Sequence, residues 1–185
     1  MILPIVAYGD PVLRKECEDI SKAYPNLDSL LENMYETMYG ASGVGLAAPQ
    51  IGLPIRVFLV DASPFADKDQ MDAQELAQVE GFKKTFINAT ILEEHGEEFA
   101  FNEGCLSIPD VREDVFRKPD ITIEYYDENF TKHTQEFTGI IARIIQHEYD
   151  HIEGILFTDK LSSLKKRILK CRLTNISKGK AHEDY

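Results

Sequence analysis

Cysteine is scarce in this chain, with three in 185 residues, and Cys17, Cys105 and Cys171 lie far apart. An odd, scattered set argues against a disulfide framework and points to a reducing compartment. Long apolar runs are also missing: stretches such as Val57 to Val60 fall far below the roughly 18 residues that a membrane span requires. The opening MILPIVAYGDPVLRK has no basic segment ahead of an apolar one, so no secretory signal is read there. A cytoplasmic protein with no membrane partner is expected. Basic charge is in the minority, 20 Lys and Arg against 32 Asp and Glu, for a net charge of -12 and a pI near 4.8. A field of that sign repels nucleic acid, so DNA is not an expected partner. Neither an internal repeat nor a low-complexity tract interrupts the chain.

What basic charge there is gathers at one end. Lys165, Lys166, Arg167, Lys170, Arg172, Lys178 and Lys180 fall between Leu161 and Lys180 with no acidic residue among them. Leu161, Leu164, Ile168 and Leu169 form an apolar stripe in the same stretch, which predicts a basic C-terminal helix over 161–180. With 43% hydrophobic residues the whole chain, 1–185, fits one domain with a real core.

Leu27, Leu30, Leu31, Met34 and Met38 follow the helical period, and Gly40 is a stop signal. The Gly-rich GVGLAAPQIG, Gly43 to Gly52, reads as a loop leading into a strand at Ile55 to Val60. The acidic segment 61–80 reads as a surface insertion with room for one helical turn. Thr85 to Leu92, Ile121 to Tyr126 and Thr134 to Gly139 have strand composition. The period then changes: Ile140, Ile141, Ile144, Ile145, Tyr149 and Ile152 lie at helical spacing. The expected fold is α+β, with antiparallel or mixed sheets wrapped around this central helix, plus the C-terminal helix.

The central helix carries QHEYDHIEG, Gln146 to Gly154, which contains H-E-x-x-H. Residues four apart share a helix face, so His147 and His151 can present imidazoles to one ion with Glu148 beside them. A catalytic site also needs a third ligand and an open position for water. Phe157 stands where one protease pattern puts a third histidine. The acidic residues after Glu153 are only Asp159, Glu183 and Asp184, which do not suit the other pattern. Upstream, NEGCLSIPD offers Cys105 in a segment constrained by Gly104 and Pro109. From the residues alone, a metallopeptidase and a non-catalytic scaffold with a structural Cys-His-His ion both stay open.

Together, GVGLAAPQIG, EGCLSIP (Glu103 to Pro109) and QHEYDHIEG occur in the order and approximate spacing of the three signature motifs of peptide deformylases. The opening IVAYGDPVLRK also resembles that family's N-terminal segment, so the resemblance runs from about Ile5 to Phe157. It implies one divalent ion on Cys105, His147 and His151, with Fe²⁺ expected and Zn²⁺, Ni²⁺ or Co²⁺ able to substitute. It further implies Glu148 as general base and acid, and the Gln50 amide and Leu106 backbone N–H as oxyanion donors. The implied substrate is the N-formylmethionyl end of a nascent peptide, with formate as product. Gly45 would lie along the substrate backbone, with Val44, Glu103, Gly104, Ile140, Ile144 and His147 around the methionine. Arg143 departs from the mostly aliphatic pattern expected there, its stem closing the pocket rim. Similar C-terminal extensions in some bacterial deformylases dock on the ribosome, which makes the basic helix a candidate ribosome contact.

Overall fold

Leu27, Leu31, Met34 and Met38 form the buried face of the first helix, α1 (Leu27–Gly40), in the computed structural model, which describes residues 1–179. Lys180, counted in the basic segment, lies outside those residues. A short strand β1 (Gly45–Ala47) and a 3-10 turn (Ala48–Ile51) lead to β2 (Val57–Asp61). Another 3-10 turn (Ser63–Phe65) and α2 (Ala73–Glu80) follow. Next come β3 (Lys83–His95), β4 (Phe99–Cys105), β5 (Ile108–Arg117), β6 (Asp120–Tyr126) and β7 (Lys132–Phe137). The chain closes with α3 (Gly139–Ile152) and α4 (Ser163–Ser177).

The strands form a five-stranded sheet in the order β1-β2-β3-β6-β7 and a separate β4-β5 hairpin, and every strand pair is antiparallel. All five residues of β2 are buried. The pleat explains why, since successive side chains point to opposite faces. Phe58 and Val60 join Phe86, Ile121, Ile123 and the α3 residues Ile141, Ala142 and Ile145 in one cluster. Val57 and Leu59 join Met34 and Met38 of α1 in another. Both faces of the sheet are therefore covered, and α3 sits against one of them as the central helix. A third cluster joins Ile108, Val111 and Val115 of β5 to Phe157 and to Leu169, Leu173 and Ile176 of α4.

Several local expectations change. The strand read at Ile55 begins at Val57 and extends to Asp61, and the one read to Gly139 ends at Phe137, because Thr138 is the N-cap of α3. The 61–80 segment has more than one turn of helix: Asp72 caps α2 by accepting from the Gln74 and Glu75 N–H groups, and buried Val79 anchors it. The apolar stripe of α4 is Leu169, Leu173 and Ile176, whereas Leu164 and Ile168 are 65% and 68% exposed. Leu161 is buried but precedes the N-cap Ser162, so it does not set the helix phase. No helix among the described residues is long and apolar enough to cross a membrane.

Candidate metal centre and its cavity

Helix α3 places Arg143, Ile144, His147, Glu148 and His151 at i, i+1, i+4, i+5 and i+8, which is one face. Opposite it, the β4-β5 ladder shifts register between Gly104 and Cys105, and Cys105 pairs with Ile108 across a tight turn. Such irregularities re-aim side chains. The result is convergence: donor atoms of Cys105, His147 and His151 all lie within 4.8 Å of one another. Cys105 Sγ is 3.3 Å from His151 Nε2, and the two imidazole centroids are 5.2 Å apart.

The side chains behind this cluster fix its orientation. His147 Nδ1 meets Glu103 Oε1 at 2.9 Å, which leaves the other ring nitrogen free for a ligand. Glu103 is buried yet fully engaged, accepting also from Arg117 Nε and Nη2 and from Arg143 Nη1. Arg117 reaches on to Asp150 at 2.7 Å. Burial works against the Glu103 carboxylate, but the His147 and Arg117 hydrogen bonds outweigh it and hold its pKa well below the usual range. Burial likewise disfavours a charged His147. Its bonds to Cys105 and Glu103 and the neighbouring Glu148 overcome that and raise its pKa to about 10. His151 is pushed well below its ordinary value by burial and by the charges of His147 and Arg117, so it is a neutral imidazole suited to ligation.

The donor set fits a divalent metal. One thiol and two imidazoles converge, and one ring is oriented by a carboxylate. Glu148 is buried, and its Oε2 has no hydrogen-bond partner. Burial raises its pKa to about 7, with Glu103 and Asp150 adding to the effect and His147 and Arg117 opposing it. Its neighbour across the cleft is Gly45 of β1, where a Cβ would lie 2.4 Å from Glu148 Oε1. Gln50 is 1% exposed. Its Oε1 accepts from the Ala47 N–H, which fixes the amide so that Nε2 faces Cys105 Sγ at 3.5 Å and Ser107 Oγ at 3.2 Å.

Gln50, Cys105, His147 and Glu148 line a cavity of about 650 Å³, along with Val44, Gly45, Glu103, Gly104, Leu106, Arg143 and Ile144. Two sequence-derived site residues are not among those lining the cavity: His151, which is buried with its Nε2 in the donor cluster, and Ile140. Ile140 packs against the sheet cluster, a full turn, about 6 Å along the axis, before Ile144. Phe157 is buried and stacks on His147 with centroids 6.0 Å apart, while Asp159 is bound to Arg14. Neither supplies a ligand to the cluster.

The model of the polypeptide deformylase family matches residues 2–167. The chain belongs to that family. Among deformylases, it is 68% identical to the peptide deformylase of Flavobacterium psychrophilum, over all of this chain and 95% of the relative. It is 65% identical to that of Christiangramia forsetii, over all of this chain and 94% of the relative. The peptide deformylase crystal structure from Legionella pneumophila superposes with a TM-score of 0.81 at 32% identity, covering 99% of each chain. That from Thermus thermophilus gives 0.82 at 36% identity, covering 97% of this chain and 99% of the other. Against that family background, sequence reasoning does not single out Phe65, Phe101, Arg117 or Asp150. Asp150 is within its reach, since it lies one turn after His147 on a helix and a buried carboxylate there requires a cation.

Proposed function

We infer that this chain is a metal-dependent hydrolase that removes the formyl group from the N-formylmethionine of newly made polypeptides and releases formate. The observation that carries this reading is the convergence of Cys105, His147 and His151 beside the unpaired carboxylate of Glu148, in a chain that matches deformylases along its whole length. We propose that the domain spans 1–185 and works in the cytoplasm.

Cys105, His147 and His151 would hold the ion, which when bound supplies Lewis acidity and makes hydroxide available near neutral pH. Glu148 takes the proton of the attacking water and delivers it to the departing amine; a pKa near 7 suits a group that must do both. The Gln50 amide and the Leu106 backbone N–H stabilise the oxyanion, and the rigid hold of Ala47 on Gln50 supports that role because the donor is oriented in advance. Gly45 serves two purposes: it admits the substrate backbone and leaves room for Glu148. Val44, Glu103, Gly104, Arg143 and Ile144 line the cavity, which supports assigning them to the methionine side chain. A formyl carbon carries only hydrogen, so tight walls admit it and exclude larger acyl groups.

We propose Fe²⁺ as the native ion, in keeping with mixed imidazole and thiolate ligation. Exposed Lys166, Arg167 and Lys170 on α4 support a ribosome contact by local phosphate binding despite the acidic body. The deciding experiment is metal analysis of anaerobically purified protein coupled to formate release from formyl-Met peptides, with acetylated and internal peptides as controls. Formate from the formyl substrate alone, decaying in air as iron and Cys105 oxidise and stable with Ni²⁺ or Co²⁺, is the expected result. Cleavage of internal bonds would favour a metallopeptidase, and no hydrolysis by the metal-loaded protein would favour a scaffold.

A further inference from the structure

The cavity lined by Cys105, His147 and Glu148 is also lined by Phe65, Phe101 and Arg143. Phe101 belongs to β4, whereas Phe65 comes from the 3-10 turn at the start of the 61–80 segment. The two rings meet edge to face, with centroids 6.2 Å apart and planes at 64°. Behind them, the Arg143 guanidinium lies 4.6 Å from the Phe99 centroid and 5.7 Å from the Phe101 centroid. Its Nη1 donates to Glu103 Oε2 and the Val115 carbonyl, and its Nη2 donates to the Phe99 carbonyl. Turning that charge into the cavity would break these bonds, so the guanidinium is a fixture of the β4-β5 hairpin and leaves its stem and the two rings to the cavity.

A wall of two phenyl rings differs chemically from an aliphatic one of the same size. An aliphatic wall distinguishes side chains by shape, and methionine and norleucine have nearly the same shape. An aromatic wall distinguishes them by composition, because a polarizable thioether sulfur gains from ring contact what a methylene does not. We propose that Phe65 and Phe101 form an aromatic clamp for the thioether of the substrate's first side chain, with Arg143 as the positioning residue that holds Phe101 in place. The clamp rests on the formylmethionyl reading above, and it gives the 61–80 segment a part in substrate choice.

The test compares kcat/KM for formyl-Met and formyl-norleucine tripeptides with the metal-loaded enzyme and its Phe65→Leu, Phe101→Leu and Arg143→Met variants. The parent should prefer methionine by roughly 2- to 12-fold, the range that sulfur-aromatic contacts give. Each Phe→Leu variant should pull that ratio toward one, and Arg143→Met should pull it part of the way. Because Phe65 sits half-buried on a short turn, its variant decides alone if the others do not fold. A parent ratio near one, or a parent-like ratio in folded Phe65→Leu, overturns the clamp. Absence of formate from both peptides would instead defeat the deformylase reading, whereas equal release from both defeats only the clamp.

Discussion

Gly45→Ala should disable the enzyme without unfolding it or emptying its metal site. The added Cβ would lie 2.4 Å from Glu148 Oε1 and 2.7 Å from its Cδ and Cγ. Carbon atoms in contact sit about 3.5–4.0 Å apart, so the Glu148 side chain must retreat by roughly 1 Å. A displacement of that size at a reacting group costs about 10²-fold, and complete loss of a positioned acid-base group costs roughly 10²- to 10⁴-fold. The expected fall in kcat is therefore on the order of 10²-fold. Gly45 pairs with Val60 in β1 and does not need a left-handed backbone, so the penalty is steric overpacking of about 1–3 kcal/mol rather than strain. Formate release, metal content and thermal unfolding would be measured together. Gly81→Ala serves as control, since its Cβ would meet only the Ala77 carbonyl at an ordinary 3.5 Å. A folded, metal-loaded Gly45→Ala enzyme within about threefold of the parent would refute the reasoning.

Other perturbations separate the parts of the site. Glu148→Ala should keep its metal and lose roughly 10²- to 10⁴-fold in turnover, so near-parental rates would remove Glu148 as the base. Cys105→Ser should weaken metal binding in an equilibrium titration, because a neutral hydroxyl is a poorer ligand than a thiolate; unchanged affinity would take Cys105 out of the site. Burial pushes the Cys17 thiol up to about 11, so it should resist alkylation at pH 9 while exposed Cys171 reacts, as peptide mapping would reveal. The sign follows for stability. The unfolded thiol ionises near 9 and the folded one does not, so the contribution of Cys17 is intact below that pH and falls by about 1.4 kcal/mol per unit between 9 and 11. Cys17→Val should flatten that alkaline decline. Replacing Lys166, Arg167 and Lys170 with glutamine should reduce low-salt cosedimentation with ribosomes; Lys165 is left out because it is bonded to Glu113. A variant that still cosediments like the parent would make the helix structural only.

By itself, the sequence determined whatever depends on residues close together in the chain. Helix α1 is legible because Leu27, Leu31, Met34 and Met38 repeat its period, and His147, Glu148 and His151 are legible because a helix puts them on one face wherever it packs. The resemblance carried by the three motifs also pointed to Cys105, whose thiol the structure brings together with the two imidazoles. The β4-β5 hairpin was hidden because alternation fails there: positions facing inward from β5 run Val111, Glu113, Val115, Arg117, and two of the four are charged. Arg117 is buried only because Glu103, from another strand, and Asp150, from a helix, come to meet it. No local pattern encodes that meeting. The same holds for Phe65, which enters the cavity from a segment read as surface, and for Ile140, whose helical phase is right but whose position along α3 is past the cavity's end. Phase is a property of neighbours in sequence, whereas depth and partnership depend on where distant segments pack, and only the tertiary structure decided those.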